Sequence, residues 1–327
     1  MNISRLVFRI SDVVNHPLRN YKRYPNVTVI KNIIYDTKYD DNINMLDIYF
    51  RSDVKEKYPV LFNIHGGGFV RGGKKYRSGF AKRFADKGWF VVNIGYRIAP
   101  VGRFPAATED AINALNFVNG LAEQYNLDLS KIVITGDSAG GYYASHLISV
   151  ICDEELRKSL NLPEYTGQKP RALLSFCAPF DLMKCFKRPT PFNVTVNITN
   201  CVFATEYQSS EEMENDFPYS DSQINIVSTV NKDWPEVFIV EAKNDSFCGN
   251  QARAMIEALN ENGVENNVYI ASHKGDAHCT HLLPFMPGNK QLYVEVDKFM
   301  KKIKSEKSSD DVYQNKSEIE EIKVDKK

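Results

Sequence analysis

The chain has 327 residues, of which 43% are hydrophobic and 25% are charged, as in ordinary folded globular proteins. Lysine plus arginine and aspartate plus glutamate both number 41, so the zero net charge argues against nucleic acid or an anionic membrane as the main partner. No apolar run approaches the roughly 20 residues that a membrane-spanning helix needs.

The N-terminal segment precedes the first strand-like run. It lacks the continuous apolar core of a signal peptide, and its apolar residues recur at helical spacing. We predict a cap helix over residues 1–25 that is docked on the rest of the fold. A membrane-surface helix is the less favoured alternative, because the polar face is not strongly basic. The predicted docked face consists of Ile3, Leu6, Val7, Ile10, Val13 and Val14.

Residues 26–304 alternate between strand-like and helix-like patterns. Several of the strand-like runs are continuously apolar, as in strands that are buried on both faces of a parallel sheet. The alternation predicts an α/β fold with one open, mostly parallel central sheet flanked by helices. The strand-like runs lie at 27–35, 44–50, 58–65, 89–96, 131–137, 171–179, 236–242 and 266–272, and the helical patterns at 76–87, 106–125, 138–152, 249–262 and 290–303.

Residues 181–234 are long for a connection between the sixth and seventh strand-like runs. We predict that they form an inserted cap, which together with the N-terminal helix roofs a pocket at the edge of the sheet. Residues 305–327 are charged and poor in large apolar groups, so we predict a disordered tail. The large apolar residues expected to wall the pocket are Phe186, Phe192, Phe203 and Phe217.

The pattern G-x-S-x-G occurs at residues 136–140, between a strand-like run and a helical pattern. This context is typical of a nucleophile elbow, in which a strained turn exposes a serine and its neighbours must be small. The sequence therefore makes Ser138 a candidate nucleophile. The alternative is a tight turn whose serine only caps the following helix.

A glycine-rich loop follows the buried run at 58–65. Its residues His65-Gly66-Gly67-Gly68 leave backbone N–H groups open to the oxyanion of an acyl-transfer intermediate. A phosphate-binding loop is the alternative, but it would end in G-K-[ST], and the sequence continues as GGKKY. We interpret His65 as a residue that shapes this loop and not as a base.

A serine nucleophile needs a base, and the base needs an acid to orient it. In α/β-hydrolases the order along the chain is serine, acid, histidine, which leaves His273, His278 and His281. His278, after the last strand-like run, is favoured, and His281 is second. Asp245 is the favoured acid, although it could instead only cap a turn or helix, and Asp181 is the alternative acid.

Together, HGGGF at 65–69, GDSAGG at 136–141, Asp245 and His278 resemble the hormone-sensitive-lipase-like esterases, which are carboxylesterases of the α/β-hydrolase fold. Residues 96–118 also look like the tyrosine-arginine-x-x-proline turn and helix of that family. The resemblance extends from about residue 58 to residue 283. It implies the following roles: Ser138 as nucleophile, Asp245 as acid, His278 as base, Gly67, Gly68 and Ala139 as oxyanion donors, and His65 and Gly66 as loop-shaping residues.

The sequence departs from the family at two places. Asp245 is followed by Ser246-Phe247, where proline-leucine is common, and His278 is followed by Cys279, where glycine is common. The first departure concerns the conformation of the acid loop. The second concerns the choice between His278 and His281.

The predicted function is a serine carboxylesterase that hydrolyses short-chain or aryl esters through an acyl-enzyme. The alternatives are an amidase, arylformamidase or peptidase on the same fold, or a non-catalytic protein that binds a small molecule. We predict no cofactor and no metal, because no cysteine–histidine spacing is typical of zinc. The six cysteines contain no C-x-x-C pair, so we predict buried thiols in a reducing cytoplasm. The oligomeric state is left open.

Overall fold

The computed structural model describes residues 3–39, 43–214 and 216–307. Most of the predicted tail, from residue 308 onward, lies outside the described residues. Within the described ranges, no helix combines the length and the apolarity that crossing a bilayer requires. The strands are β1 (Thr28–Ile34), β2 (Met45–Phe50), β3 (Tyr58–Ile64), β4 (Phe90–Ile94), β5 (Leu127–Asp137), β6 (Ala172–Phe176), β7 (Glu236–Ala242) and β8 (Asn266–Ala271).

Helices flank the sheet and fill the connections between its strands. They are α1 (Ile3–Asn20), α2 (Ser78–Ala85), α3 (Ala106–Asn119), α4 (Ala122–Tyr125), α5 (Ala139–Cys152), α6 (Glu154–Ser159), α7 (Leu182–Phe186), α8 (Val194–Phe203), α9 (Asp221–Ile224), α10 (Ile226–Thr229), α11 (Ala252–Glu261) and α12 (Asn289–Ser305).

The eight strands form one sheet in the order β1-β2-β4-β3-β5-β6-β7-β8. The pairs β1–β2 and β2–β4 are antiparallel, and the remaining pairs are parallel. Strands β3, β4, β6 and β7 are buried along their whole length, because helices cover both faces of the sheet. The predicted fold class, an α/β-hydrolase with a mostly parallel sheet, is confirmed.

Helix α1 is present, but half of the predicted apolar face is not docked; Leu6 is half-buried, and the side chains of Ile3 and Val7 lie outside the described part of the structure. The exposed fractions of Ile10, Val13 and Val14 are 55%, 58% and 61%. The inward side instead carries Asp12, which is buried and accepts a hydrogen bond from Arg19 over 3.2 Å. The expectation was wrong for Ile10, Val13 and Val14, because the inward side of α1 instead carries Asp12, whose carboxylate is close enough to feel the charge of the buried Arg77. The helical spacing of apolar residues shows that one face of the helix is apolar, but not which face packs against the rest of the protein.

Candidate active site

Ser138 occupies the turn between β5 and α5. Its backbone dihedral angles are φ 54° and ψ −125°, a strained conformation for a residue with a side chain. The turn fits only because its neighbours are small: a Cβ atom on Gly140 would lie 2.1 Å from the carbonyl oxygen of Ile64. The N–H of Ser138 donates to the carbonyl of Phe176 over 2.8 Å and fixes the turn against β6. The strand–turn–helix arrangement predicted from the sequence is present.

The glycine-rich loop follows β3 and faces the same end of the sheet. Gly67 and Gly68 have φ values of 148° and 59°, which glycine adopts without strain. His65 is buried, its ring stacks on Tyr96 at a centroid distance of 4.4 Å, and its carbonyl accepts from the Tyr96 hydroxyl over 2.6 Å. Burial lowers the pKa of His65 to about 4. His65 is therefore a neutral group packed under the loop.

Asp245 and His278 are hydrogen-bonded. Nδ1 of His278 lies 2.7 Å from Oδ2 of Asp245. The other carboxylate oxygen, Oδ1, accepts from the N–H groups of Phe247 and Cys248, both over 2.8 Å. Asp245 thus both caps its own loop and holds the histidine, so the two roles considered from the sequence are combined in one side chain.

The electrostatics of the pair follow from its burial. Burial by itself lowers the pKa of His278, but the hydrogen bond and the charge of Asp245 outweigh this effect and raise that pKa to about 9. Burial by itself raises the pKa of Asp245, and the hydrogen bond from His278 outweighs it and lowers that pKa. The carboxylate therefore stays ionised and stabilises a charged imidazolium.

The alternative acid and base have different surroundings. His281 is buried and stacks on Phe176 at a centroid distance of 3.9 Å, and burial lowers its pKa to about 3. Asp181 caps α7, where its carboxylate accepts from the N–H of Lys184 over 2.9 Å. Neither side chain lines the cavity that contains Ser138.

Ser138 and His278 line one cavity of about 290 Å³, which we call the serine cavity. Gly68 also lines it, so the glycine-rich loop, the elbow and the histidine loop meet there. Gly67 adjoins Gly68, and Ala139 follows Ser138 directly. The wall is mainly apolar and includes Phe8 of α1, Phe69, Phe186, Val194, Ile198 and Phe247.

Only one of the four phenylalanines expected from the insert lines this cavity. Phe186 does so, whereas Phe192 is 78% exposed. Phe203 and Phe217 contact each other, with ring centroids 4.7 Å apart, and they belong to the core beneath the insert. The expectation for Phe192, Phe203 and Phe217 was wrong. Aromatic content predicts that side chains tend to be buried, but not against which part of the protein they pack. Phe8 and Phe247, which lie outside the insert, line the cavity in their place.

A buried ion pair supports the two loops, and the sequence motifs gave no sign of it. Asp137, the variable residue before Ser138, accepts two hydrogen bonds from Arg77, both over 2.6 Å. Its Oδ1 atom also accepts from the N–H of Gly66 over 3.3 Å. Burial raises the pKa of Asp137, but Arg77 outweighs this effect and holds the pKa well below its usual range. The carboxylate thus joins the elbow to the glycine-rich loop.

Comparisons with known proteins agree with this arrangement. The BD-FAE family model matches residues 46–259. The chain is 27% identical over 230 residues to the probable carboxylic ester hydrolase LipM of Mycobacterium tuberculosis, covering 69% of this chain and 51% of LipM. It is 41% identical over 88 residues to esterase LipI of the same organism, covering 27% of this chain and 28% of LipI.

The matched regions thus span about half or less of these curated relatives. Among solved structures, esterase B of Lactobacillus rhamnosis superposes with a TM-score of 0.77 at 18% identity, covering 92% of this chain and 95% of that chain. This likeness concerns the fold.

Proposed function

The chain belongs to the BD-FAE family, and from this premise we propose that it is a serine carboxylesterase. The predicted resemblance to the hormone-sensitive-lipase-like esterases of the α/β-hydrolase fold is confirmed. The observation that carries the proposal is the meeting of three elements at one cavity. These are Ser138 on a strained elbow, His278 held by Asp245 over 2.7 Å, and the loop that contains Gly68.

In the proposed mechanism, the hydroxyl oxygen of Ser138 attacks the carbonyl carbon of the ester while His278 takes the hydroxyl proton. Asp245 keeps the imidazole in the tautomer whose Nε2 is free to accept that proton, and its charge stabilises the imidazolium that forms. The C–O bond to the alcohol then breaks, and His278 returns the proton to the leaving oxygen. Water repeats the same steps on the acyl-enzyme and releases the acid.

The oxyanion of the tetrahedral intermediate is assigned to the backbone N–H groups of Gly67, Gly68 and Ala139. Two observations support this assignment. Gly67 and Gly68 carry no side chain that could cover their own N–H groups and have positive φ values, and Ala139 is the first residue of α5, where unpaired N–H groups and the helix dipole favour negative charge. His65 and Gly66 shape the loop through the contacts with Tyr96 and Asp137.

We propose a small apolar ester, with a short acyl chain or an aryl group, as the substrate. A cavity of about 290 Å³ is at the lower end of the range for small-molecule sites. Phe8 of α1 and Phe186 of the insert both line it, and Ser4 donates to the carbonyl of Val194 over 3.3 Å. These contacts support the proposal that α1 and the insert together roof the site.

The cytoplasmic location stays a prediction, and the oligomeric state stays open. None of the six cysteines, all of which lie in described ranges, forms a disulfide, as is common in a reducing compartment. Measured mass in solution and localisation of the tagged full chain would test these two points.

The decisive experiment is turnover of a short-chain aryl ester by the full chain and by Ser138→Ala. Loss of the nucleophile should lower kcat by about 10⁶-fold, as for a triad residue in a serine hydrolase. Ser145→Ala is the matched control: it removes a hydroxyl from the same helix, where it donates to the carbonyl of Gly141 over 2.8 Å, and should keep most of the activity. A folded Ser138→Ala variant with more than about a tenth of the activity would contradict the mechanism.

The matching aryl amide, tested beside the ester, separates an esterase from an amidase or peptidase on the same fold. If the ester raises the thermal stability of the chain but is not hydrolysed, the alternative of a non-catalytic protein that binds a small molecule is favoured instead. A phosphonate ester that adds mass to Ser138 provides a second readout of the nucleophile.

A further inference from the structure

Two cysteines flank His278 in the folded chain, and the hydrolytic mechanism uses neither of them. Cys177 follows β6, and Cys279 follows His278 directly. The N–H of Cys279 donates to Sγ of Cys177 over 3.4 Å. The two sulfur atoms and a ring nitrogen of His278 all lie within 4.8 Å of one another. Among the residues that the structure describes, no other three histidine, cysteine or carboxylate side chains bring their ligand atoms so close.

The backbone at both cysteines is strained. Cys177 has φ 49° and Cys279 has φ 59°, a left-handed conformation that glycine adopts freely and that disfavours a residue with a Cβ atom. Both cysteines are nevertheless buried beside the same imidazole. Residues strained in this way cluster at active sites and ligand-binding sites.

We propose that Cys177, Cys279 and His278 form a binding site for Zn²⁺, and that the bound ion reversibly inhibits hydrolysis. Thiolate sulfur and imidazole nitrogen are the ligands that zinc prefers, and three protein ligands leave a fourth position for water. Of these three residues, His278 also lines the serine cavity.

The distances suit this ion. Zinc–sulfur bonds of about 2.3 Å and zinc–nitrogen bonds of about 2.0 Å place tetrahedral ligand atoms about 3.5–3.8 Å apart. The three atoms are already within 4.8 Å, so small side-chain rotations are enough to close the site. Binding releases one proton from each thiol to solvent, and the charges of the two thiolates then balance the charge of the ion.

Inhibition follows because His278 cannot serve the ion and the reaction at once. Zinc on Nε2 would occupy the lone pair that accepts the Ser138 proton. Zinc on Nδ1 would displace the hydrogen bond to Asp245, now 2.7 Å long. Either mode removes the base, so this part of the inference rests on the proposed function, whereas the metal site itself does not.

The first test is a titration of the reduced, metal-free full chain with Co²⁺, a spectroscopic substitute for zinc. We expect a thiolate-to-cobalt charge-transfer band that saturates at one ion per chain and disappears when Zn²⁺ is added. Cys279→Gly should lose the band, and glycine suits the left-handed backbone at this position. Cys177→Ser, in which the new side chain is similar in size, is a second variant that should lose the band. Cys185→Ser is the matched control, because Cys185 and Cys248 are a second pair of buried cysteines that line the serine cavity, near His278, and it should keep the band.

The second test is ester turnover at increasing Zn²⁺, with each variant compared with its own rate in a chelator. Loss of an outer partner of a metal ligand already weakens binding by about 10- to 100-fold, so Cys279→Gly should raise the inhibition constant by at least about 10-fold. The absence of a cobalt band in the reduced wild-type protein overturns the proposal, as does a band or equally strong zinc inhibition in Cys279→Gly. A chain without ester turnover would contradict the proposed function instead, and the cobalt titration would still decide the metal site.

Discussion

Replacing Arg77 by methionine would leave the carboxylate of Asp137 buried without its partner. The side chains of Arg77 and Asp137 are only 4% and 3% exposed, so solvent does little to screen the pair. Arg77 donates two hydrogen bonds over 2.6 Å, and hydrogen bonds to charged groups contribute about 1.5–3 kcal/mol each. Breaking a buried ion pair from one side costs about 3–5 kcal/mol. We therefore expect Arg77→Met to lower the free energy of unfolding by about 3–5 kcal/mol.

Urea denaturation can measure this loss, because urea, unlike guanidinium chloride, adds no salt. The fluorescence of Trp89 and Trp234, both buried, would follow the transition. In the double variant Arg77→Met/Asp137→Asn the buried group is neutral and can still accept from the N–H of Gly66. The double variant should therefore be more stable than Arg77→Met alone.

The loss should also depend on pH. In the wild-type protein the lowered pKa of Asp137 gives stability that is present above its unfolded pKa of about 3.9 and is lost as the pH falls. In Arg77→Met, burial is no longer opposed by the arginine and raises the pKa of Asp137, so the variant loses stability as the pH rises through that raised pKa. The difference between the two proteins should be larger at pH 8 than at pH 5. A loss below about 1 kcal/mol, or a double variant that shows the sum of the two single effects, would refute this account.

Three further predictions concern the site. The base must be neutral to act, so kcat/KM should fall as the pH drops through the raised pKa of His278, about 9. Asp245→Asn removes the main group that opposes the effect of burial on this pKa, so the acid limb should move to lower pH by about 1–3 units. At a fixed pH near neutrality, Asp245→Asn should reduce kcat by about 10⁴-fold, whereas Asp181→Asn, which keeps a capping oxygen, should stay within a few-fold; the reverse ranking would reassign the acid. Phe8→Ala should raise the hexanoate-to-acetate ratio of kcat/KM by about 10-fold, the scale of a methylene-sized change in an apolar pocket, and an unchanged ratio in the folded variant would contradict the roof.

The sequence by itself determined the sheet and the two loops that identify the fold. The apolar run at 58–65 predicts a strand buried on both faces because it is short and is followed by glycines, and both features are properties of the chain alone. The elbow at Ser138 and the loop at Gly67 and Gly68 were equally visible, because a strained turn and an unshielded backbone both require small residues at adjacent positions.

Only the tertiary structure decided which side chains meet. His278 and Asp245 are 33 positions apart, and the choice of His278 over His281 depends on how the loop after β8 folds against the loop after β7. Arg77 reaches Asp137 across 60 positions. No periodicity or spacing encodes such contacts, because they depend on the order and register of the strands from which the loops emerge.

The same reason explains the error about the predicted face of α1 and the unexpected meeting of Cys177 with Cys279. A helical pattern shows that an apolar face exists, but the inward side of α1 carries the buried Asp12, which bonds Arg19 of the same helix and feels the charge of Arg77 from another part of the chain. The two cysteines lie 102 positions apart, so sequence spacing gave no cysteine–histidine cluster. Cys177 follows β6, and Cys279 lies in the loop after β8. The two cysteines meet because only β7 separates β6 from β8 in the parallel part of the sheet, so the loops after these strands leave the same edge of the sheet.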